Sequence, residues 1–233
     1  MIPKKIHYCW FGGKPLPNSV KKCIKSWKKF CPDYEIIEWN ESNYDVNKIP
    51  FIQQAYQAKK YAFVSDYARL DIIYSEGGIY LDTDVELLKN LDPLLVNQCF
   101  LAMELPGLVN TGLGFGAQKG HWFIKENMDF YRKIDFDTNN IITCVKITTD
   151  LLKKYDFSFD NSKQVVKDIS IFPTEYFCPM NYQTKELKIT NNTYSIHHYD
   201  ATWQPMSMKF KSFLKMVLGD KQIMFLKKIK NIF

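Results

Sequence analysis

Short apolar segments alternate with polar and turn-forming residues over the first forty positions. Residues 5–10 predict a strand that ends at a Gly- and Pro-rich turn. Asn18 or Ser19 is expected to cap a helix that runs to about Lys29, and residues 34–39 predict a second strand. Because strand, helix and strand in this order build parallel sheets, the pattern indicates an α/β protein.

A longer helix is predicted for residues 61–76, where apolar side chains recur at steps of three and four. These side chains are Phe63, Tyr67, Leu70, Ile73 and Tyr74. The pair Gly77 and Gly78 is expected to end this helix as its C-cap. Two apolar segments, 79–81 and 85–88, follow and predict strands on either side of a short acidic stretch.

The remaining pattern completes an α/β architecture. Further strands are predicted at 99–103, 113–117, 169–172 and 194–198, and further helices at 122–132 and 141–154. Since the sequence shows neither an internal repeat nor a low-complexity linker, we place one boundary, near Pro205. We therefore expect a Rossmann-like, mostly parallel sheet flanked by helices over residues 1–205, with a basic amphipathic helical tail at 206–233.

The tail carries the whole formal charge of the chain. Residues 206–233 hold seven Lys and one acid, Asp220, for a net of 7 − 1 = +6, and the chain as a whole is also +6. A nearly neutral body is not typical of a nucleic-acid-binding protein, so no nucleic acid is expected as a partner. A basic, apolar tail favours contact with an anionic membrane, and packing of the tail on the main domain is the alternative.

Targeting and cysteine patterns refine the expected location. Charged residues follow Met1 closely, and no apolar run is long enough for a signal peptide or a membrane-spanning helix. The protein is therefore expected in the cytoplasm, peripheral at the inner face of the cell membrane. The six cysteines lack C-x-x-C spacing, and we expect reduced thiols.

Asp82 and Asp84 carry the clearest chemical pattern of the sequence. Two carboxylates separated by one residue lie on the same face of a strand, and both can reach one cation where the strand ends. Mn²⁺ or Mg²⁺ prefers oxygen ligands and bridges carboxylates to a diphosphate. D-x-D is also common by chance in exposed turns, but here it interrupts an apolar stretch, where an unpaired charge would be costly.

Two further pairs have an alternative explanation. Asp66 and Arg69 lie three positions apart on the predicted helix, so they present a carboxylate and a guanidinium together. The alternative is an ion pair on a solvated face. His197 and His198 end a predicted strand, and an imidazole there can ligate a metal or bind a phosphate. Adjacent strand residues point to opposite faces, so only one histidine would face the site, and the pair is equally explained by a structural role.

Three blocks of residues resemble a known family. They are residues 2–13, the stretch from 65–69 to 77–85, and the His-His to Trp block at 197–203. Over about 1–205 the chain resembles glycosyltransferase family 32, the sugar transferases with a DXD motif. That family includes capsular polysaccharide synthesis enzymes and is distantly related to the clostridial glucosylating toxins. The resemblance implies a GT-A fold.

The same resemblance implies roles for five residues on the donor side. Trp10 would lie against uracil or another base, and Asp66 with Arg69 would grip hydroxyl groups of the donor sugar. Asp84 would bind the metal directly. Asp82 would complete the metal site by contacting the ribose or a metal-bound water.

The resemblance also implies four contacts near the C-terminus. His198 would be the third metal or diphosphate contact, and His197, Thr202 and Trp203 would close over the pyrophosphate. Thr202 stands where the family usually has Ser, which keeps the hydroxyl group and adds a methyl group.

For the reaction, the resemblance implies retaining transfer from a nucleotide-diphospho-sugar, expected to be a UDP-sugar, without an enzymic nucleophile. The expected acceptor is a glycan or lipid-linked oligosaccharide of a surface polysaccharide. Asn110 is a candidate on the acceptor side of the reacting centre, and a turn-forming Asn is the alternative. Two other functions remain open: a toxin-like transferase acting on a protein side chain, and a non-catalytic module binding carbohydrate or membrane.

Overall fold

A computed structural model describes residues 1–182 and 184–200 of the 233-residue chain. The predictions for Thr202 and Trp203, the boundary near Pro205 and the tail at 206–233 lie outside the described residues.

Helices and strands alternate along most of the described chain. The helices are α1 (Asn18–Phe30), α2 (Pro50–Gln57), α3 (Tyr61–Glu76), α4 (Trp122–Tyr131), α5 (Cys144–Leu152) and α6 (Thr174–Phe177). The strands are β1 (Lys5–Cys9), β2 (Glu35–Trp39), β3 (Gly78–Tyr80), β4 (Val85–Leu87), β5 (Cys99–Leu105), β6 (Leu108–Val109), β7 (Phe115–Ala117), β8 (Gln164–Val166), β9 (Ile169–Phe172) and β10 (Ser195–His197).

The central sheet of the described chain has the strand order β2-β1-β3-β7-β5-β9-β8, with β6 paired to β5. The pairs β1/β2, β1/β3 and β5/β9 are parallel. Since β7 is antiparallel to both β3 and β5, the strands β2, β1, β3, β5 and β9 all run in one direction. This confirms the predicted mostly parallel sheet flanked by helices.

A second, two-stranded sheet pairs β10 with β4 in antiparallel register, His197 opposite Val85. The chain therefore leaves the central sheet after β3 and enters this second sheet at β4. Helix α1 holds β4 in place, because the buried Trp27 donates from Nε1 to the Val85 carbonyl (2.7 Å) and Leu87 N donates to Ser26 Oγ (2.9 Å).

Two hydrophobic clusters fill the two faces of the central sheet. One lies under α2, α3, α4 and α5, and the other lies under α1 and α6. Helix α3 is buried on nearly all sides, and it carries the buried polar residues Asp66, Arg69 and Asp71. Buried charges are stable only when they are paired. The helix therefore holds these charged side chains, with their partners, at defined positions in the centre of the protein.

The structure corrects some sequence-based details. Neither Asn18 nor Ser19 caps α1: Pro17 occupies the N-cap with φ −62° and ψ 161°, without a side-chain cap hydrogen bond. Proline fixes this φ and lacks an N–H, so the helix begins one residue earlier than a side-chain cap would allow. Gly77 caps α3 with φ 67°, whereas Gly78 already belongs to β3. Among the described helices, none has the length and apolar character needed to span a bilayer.

Candidate active site

The acidic stretch forms the turn between the two sheets. Leu81 N donates to the His7 carbonyl (3.0 Å) and Asp82 N donates to the Gly112 carbonyl (3.2 Å), so the backbone stays fixed to its neighbours just beyond β3. Val85 N then donates to the Asp82 carbonyl (3.0 Å) and closes the turn. The turn lies at the carboxyl end of β3, an edge where α/β proteins commonly bind ligands.

A buried ionic cluster lies behind this turn, and we name it the inner wall: Asp66, Arg69, Tyr80 and Asp82. Arg69, 2% exposed, donates from Nη2 to Asp66 Oδ1 and lies with Nη1 3.4 Å from Asp82 Oδ1. Tyr80 OH donates to the same Asp82 oxygen (3.0 Å). The Asp66–Arg69 pair is therefore not on a solvated face, and that alternative is wrong.

Not every polar atom around the inner wall is used within the protein. Arg69 Nε and the hydroxyl of Tyr131 are buried and have no hydrogen-bond partner among residues 1–182 and 184–200. Buried polar groups are nearly always satisfied in folded proteins, so each such atom needs an explanation.

One histidine joins the two aspartates. Single ligating atoms of Asp82, Asp84 and His197 all lie within 4.8 Å of one another. His197 Nε2 is 3.3 Å from Asp84 Oδ1, and the backbone N of Asp200 donates to Asp84 Oδ2 (3.0 Å). The antiparallel pairing of β10 with β4 makes this contact, so the second sheet completes the group.

His198 lies elsewhere. Its Nε2 is 2.8 Å from Glu86 Oε2, and Lys22 Nζ lies 3.5 Å from the same oxygen. Side chains of neighbouring strand residues point to opposite faces, which separates the two rings. The expected third metal contact was His198, but the ring that the structure brings to the aspartates is that of His197.

Burial and neighbouring charges drive the two carboxyl groups apart. Burial raises the pKa of Asp82 to about 6, although Arg69 opposes the shift. Burial also acts to raise the pKa of Asp84, but the hydrogen bond and charge of His197 outweigh it and lower that pKa. Burial acts to lower the pKa of His197, and its bond to Asp84 instead raises it to about 10. A divalent cation between the carboxylates would favour the ionised form of both.

Gly112 was not predicted as a site residue, and it closes the group from the other side. A Cβ atom at this glycine would lie 2.2 Å from Asp82 Oδ2 and 3.1 Å from Asn110 Oδ1. Only a glycine lets the loop approach the carboxylate this closely. The sequence signal was the Gly in the Asn-Thr-Gly loop between two strands.

Asn110 forms a turn and also lies beside the acidic pair. Its Oδ1 accepts from Gly112 N (2.6 Å), so the turn-forming alternative describes it correctly. The same turn brings the side chain next to Asp82, and its Nδ2 donates to Glu104 Oε2 (3.0 Å).

Three residues on the outer side of the site were missed: Glu104, Cys178 and Tyr199. The Tyr199 ring lies 4.2 Å from the His197 ring, centroid to centroid, and its hydroxyl is 2.9 Å from Cys178 Sγ. The same hydroxyl lies near the Glu104 carboxylate. We name the set Glu104, Asn110, His197 and Tyr199 the outer wall; Asn110 and His197 are buried, and Glu104 and Tyr199 are partly exposed. The residues of the outer wall are far apart in sequence. Of the three missed residues, only Glu104 had a local signal, because it is an acid at the end of an apolar strand.

Trp10 lies just beyond β1, partly buried against the second hydrophobic cluster. Its Nε1 donates to the Lys14 carbonyl (2.6 Å), which fixes the indole ring against the following turn. Its contact with a base stays a prediction.

The α/β sheet with a carboxylate pair just beyond one of its strands is the arrangement of the GT-A fold. The solved structure of PaToxG glycosyltransferase shares this fold, with a TM-score of 0.52 at 21% identity over 66% of this chain and 69% of that one. A family model described as "Glycosyltransferase sugar-binding region containing DXD motif" matches residues 17–101. This segment, with Asp66, Arg69, Asp82 and Asp84, is therefore similar to that family, as the resemblance implied.

Two relatives extend the comparison. Inositol phosphoceramide mannosyltransferase 3 of Schizosaccharomyces pombe is 34% identical over 53% of this chain and 35% of its own length. A protein of Acanthamoeba polyphaga mimivirus described as uncharacterized glycosyltransferase L373 is 28% identical over 88% of this chain and 85% of its own length. The chain thus spans about a third of the yeast relative and most of the viral one.

Proposed function

We propose that this chain is a metal-dependent, retaining hexosyltransferase that moves a sugar from a nucleotide-diphospho-sugar, expected to be a UDP-sugar, to a glycan or lipid-linked acceptor. The carrying observation is the convergence of Asp82, Asp84 and His197 within 4.8 Å at the carboxyl end of β3. When the sugar is transferred, negative charge develops on the nucleotide leaving group. A cation bound at this site would lie next to that charge, so the geometry suits departure of a diphosphate.

The donor set fits a hard or borderline divalent cation. Two carboxylates and one imidazole, contributed by Asp82, Asp84 and His197, suit Mn²⁺ and are compatible with Mg²⁺. When bound, the cation would supply the positive charge that neutralises the departing diphosphate.

The inner wall would orient both the metal site and the donor sugar. Arg69 and Tyr80 contact one oxygen of Asp82, and its other oxygen would bind the cation. Arg69 Nε, without a partner among the described residues, and the carboxylate of Asp66 would bind sugar hydroxyl groups. Trp10 against the base, and Thr202 and Trp203 over the diphosphate, are parts of the same proposal.

A lipid-linked acceptor is supported by similarity and by charge. The name of the fission yeast relative describes transfer of mannose to an inositol phosphoceramide, which is a lipid. For this chain we propose a glycolipid acceptor of surface or capsular polysaccharide synthesis. The +6 charge of residues 206–233 supports attachment to an anionic membrane at its cytoplasmic face.

A donor screen tests the proposal. Common UDP- and GDP-sugars are mixed with the protein with and without Mn²⁺, and thermal stabilisation and sugar release are measured. At least one donor should stabilise and be cleaved only with the cation. Asp84→Asn should lower cleavage about 10³-fold, equivalent to several kcal/mol of lost charge stabilisation, while the fold persists.

Asp129→Asn is the matched control, because Asp129 is an α4 carboxylate paired with Lys125 and Arg132 outside the site. It should cleave donor like the wild type. Full activity of Asp84→Asn would contradict the assignment of the site. Donor binding that needs no cation and gives no cleavage would support a non-catalytic binding module instead.

A further inference from the structure

A series of contacts runs outward along the second sheet from the group formed by Asp82, Asp84 and His197, here called the metal group. Asp84 contacts His197, whose ring packs on Tyr199. The Tyr199 hydroxyl in turn lies near the Glu104 carboxylate at the end of β5. This path connects the predicted cation site with a partly exposed acid that has no role in the proposed function so far.

A second path returns from that acid to the metal group. Glu104 Oε2 accepts from Asn110 Nδ2 (3.0 Å), and Asn110 Oδ1 accepts from Gly112 N (2.6 Å). Gly112 in turn lies against Asp82. The two paths form a closed ring, in which Glu104 lies opposite the carboxylate pair.

Tyr199 adopts a backbone conformation that a bulky residue rarely takes. Its φ is 56°, in the left-handed region, which is strained for a residue with a bulky side chain. Contacts with Cys178, His197 and the Tyr182 ring, 5.1 Å away, hold it there. Such strain is concentrated at functional sites, and this conformation keeps the hydroxyl group near Glu104.

Glu104 has the capacity to bind a further hydroxyl group. A carboxylate offers about four lone-pair positions; Asn110 uses one of them, and the nearby Tyr199 hydroxyl can use at most one more. No lysine or arginine in the part of the chain that the structure describes forms an ion pair with Glu104. The acid is therefore oriented by neutral donors, remains a strong acceptor and is reachable from solvent.

We propose that Glu104 binds the attacking hydroxyl group of a saccharide acceptor, with Asn110 and Tyr199 as positioning residues. The inference rests on the proposed function and assigns the outer wall to the acceptor, while the inner wall serves the donor. In the absence of a saccharide, a water molecule takes the place of the acceptor hydroxyl group. Donor hydrolysis therefore tests the site without knowledge of the natural acceptor.

The experiment compares Glu104→Gln with the wild type for the donor found in the screen, with Mn²⁺ present. Glutamine keeps the shape and still accepts from Asn110, but it removes the charge. The kcat of hydrolysis should fall at least tenfold, while the donor Kd stays within twofold. Glu104→Asp, which retains the charge, should recover part of the rate.

Glu38→Gln is a matched control. Glu38 likewise accepts from one tyrosine hydroxyl and one asparagine amide, Tyr8 OH (2.7 Å) and Asn40 Nδ2 (2.9 Å), and it lies outside the ring. This variant should change neither kcat nor Kd.

Each other outcome overturns a defined claim. An unchanged kcat in Glu104→Gln would refute the acceptor role. A donor Kd that rises together with the loss of rate would place Glu104 on the donor side and also refute it. If Glu104→Gln, Glu38→Gln and Glu104→Asp all lowered kcat equally, the role of Glu104 would be structural, and the proposal would be refuted. If the wild type cleaves no donor, the proposed function fails, and the inference falls with it.

Discussion

The inner and outer walls of the site differ in origin and in burial. Asp66, Arg69, Tyr80 and Asp82 come from one continuous stretch, α3 to the turn after β3, and they form a buried ionic cluster. The outer wall comes from β5, the loop after β6 and the segment around β10, and Glu104 and Tyr199 are partly exposed. The difference suits the proposed division of roles, in which the inner wall fixes charge for the donor and the outer wall is open to a second substrate.

The largest expected effect breaks the inner wall. Arg69→Met leaves Asp66 and Asp82 without their cation in a buried place, so the free energy of unfolding should fall by about 3–5 kcal/mol. Urea denaturation at neutral pH measures it. As a control, Lys48→Met removes the half-exposed partner of Asp71 (2.6 Å) and should cost about 1 kcal/mol or less. Similar losses in the two variants would show that the inner wall is not the stronger ionic element.

The next effect concerns His7 of β1, which lies opposite Tyr80 of the inner wall in the pairing of β1 with β3. His7 is fully buried: its Nδ1 accepts from Trp39 Nε1 (3.1 Å), and its Nε2 then donates to the Gly77 carbonyl (2.9 Å). Burial lowers its pKa from 6.5 to about 4. Between these pH values the unfolded chain binds more protons, so the stability present above pH 6.5 is lost as the pH falls towards 4.

This contribution amounts to about 3 kcal/mol over that pH range. His7→Gln lacks it, so its unfolding free energy should depend less on pH between 6.5 and 4 than that of the wild type. Denaturation curves at several pH values measure the difference. Identical pH dependence of the two proteins would show that His7 is not held neutral.

A third prediction tests Gly112, which lies between Asp82 of the inner wall and Asn110 of the outer wall. Gly112→Ala should displace the Asp82 carboxylate and weaken Mn²⁺ binding about 10- to 100-fold, as losses of ligand orientation do. Calorimetric titration with Mn²⁺ measures it. Gly116→Ala is the control, because its Cβ would lie 2.6 Å from Phe100, in the core away from the turn. It should lower stability but leave the Mn²⁺ affinity of the folded protein within twofold, and equal affinity losses would argue against a specific role of Gly112.

The smallest expected effect concerns His198. His198→Gln should change Mn²⁺ affinity by less than about twofold, because a partly exposed pair with Glu86 contributes little. His197→Gln should lower the affinity about tenfold through loss of a ligand. The same titration applies to both. A larger loss in His198→Gln than in His197→Gln would restore the role first expected for His198.

The two walls also differ in how far the sequence predicted them. Asp66 with Arg69 and Asp82 with Asp84 are local patterns, since their spacing on a helix or strand determines which side chains lie together. The bounds of α3 were predicted correctly for the same reason, because the periodicity extends over 16 residues. Helix α2 was missed, since eight residues that begin with a proline give too short a pattern.

The outer wall depends on strand pairing, which a single sequence does not determine. The choice between His197 and His198 follows from the register of β10 on β4, and Glu104 meets Tyr199 only once β10 is in place. The family resemblance named both histidines and assigned the metal contact to His198, whereas the structure brings His197 to the aspartates.

The pairing of β4 with β10 in the second sheet has a consequence for biosynthesis. Asp84 and its backbone donor Asp200 are 116 residues apart, so at about 5–20 residues per second the ribosome needs roughly 6–23 s between them. For that interval a nascent chain carries Asp82 and Asp84 without His197 and Asp200. The proposed capture of a sugar nucleotide would therefore begin only when nearly all of the described polypeptide has been translated.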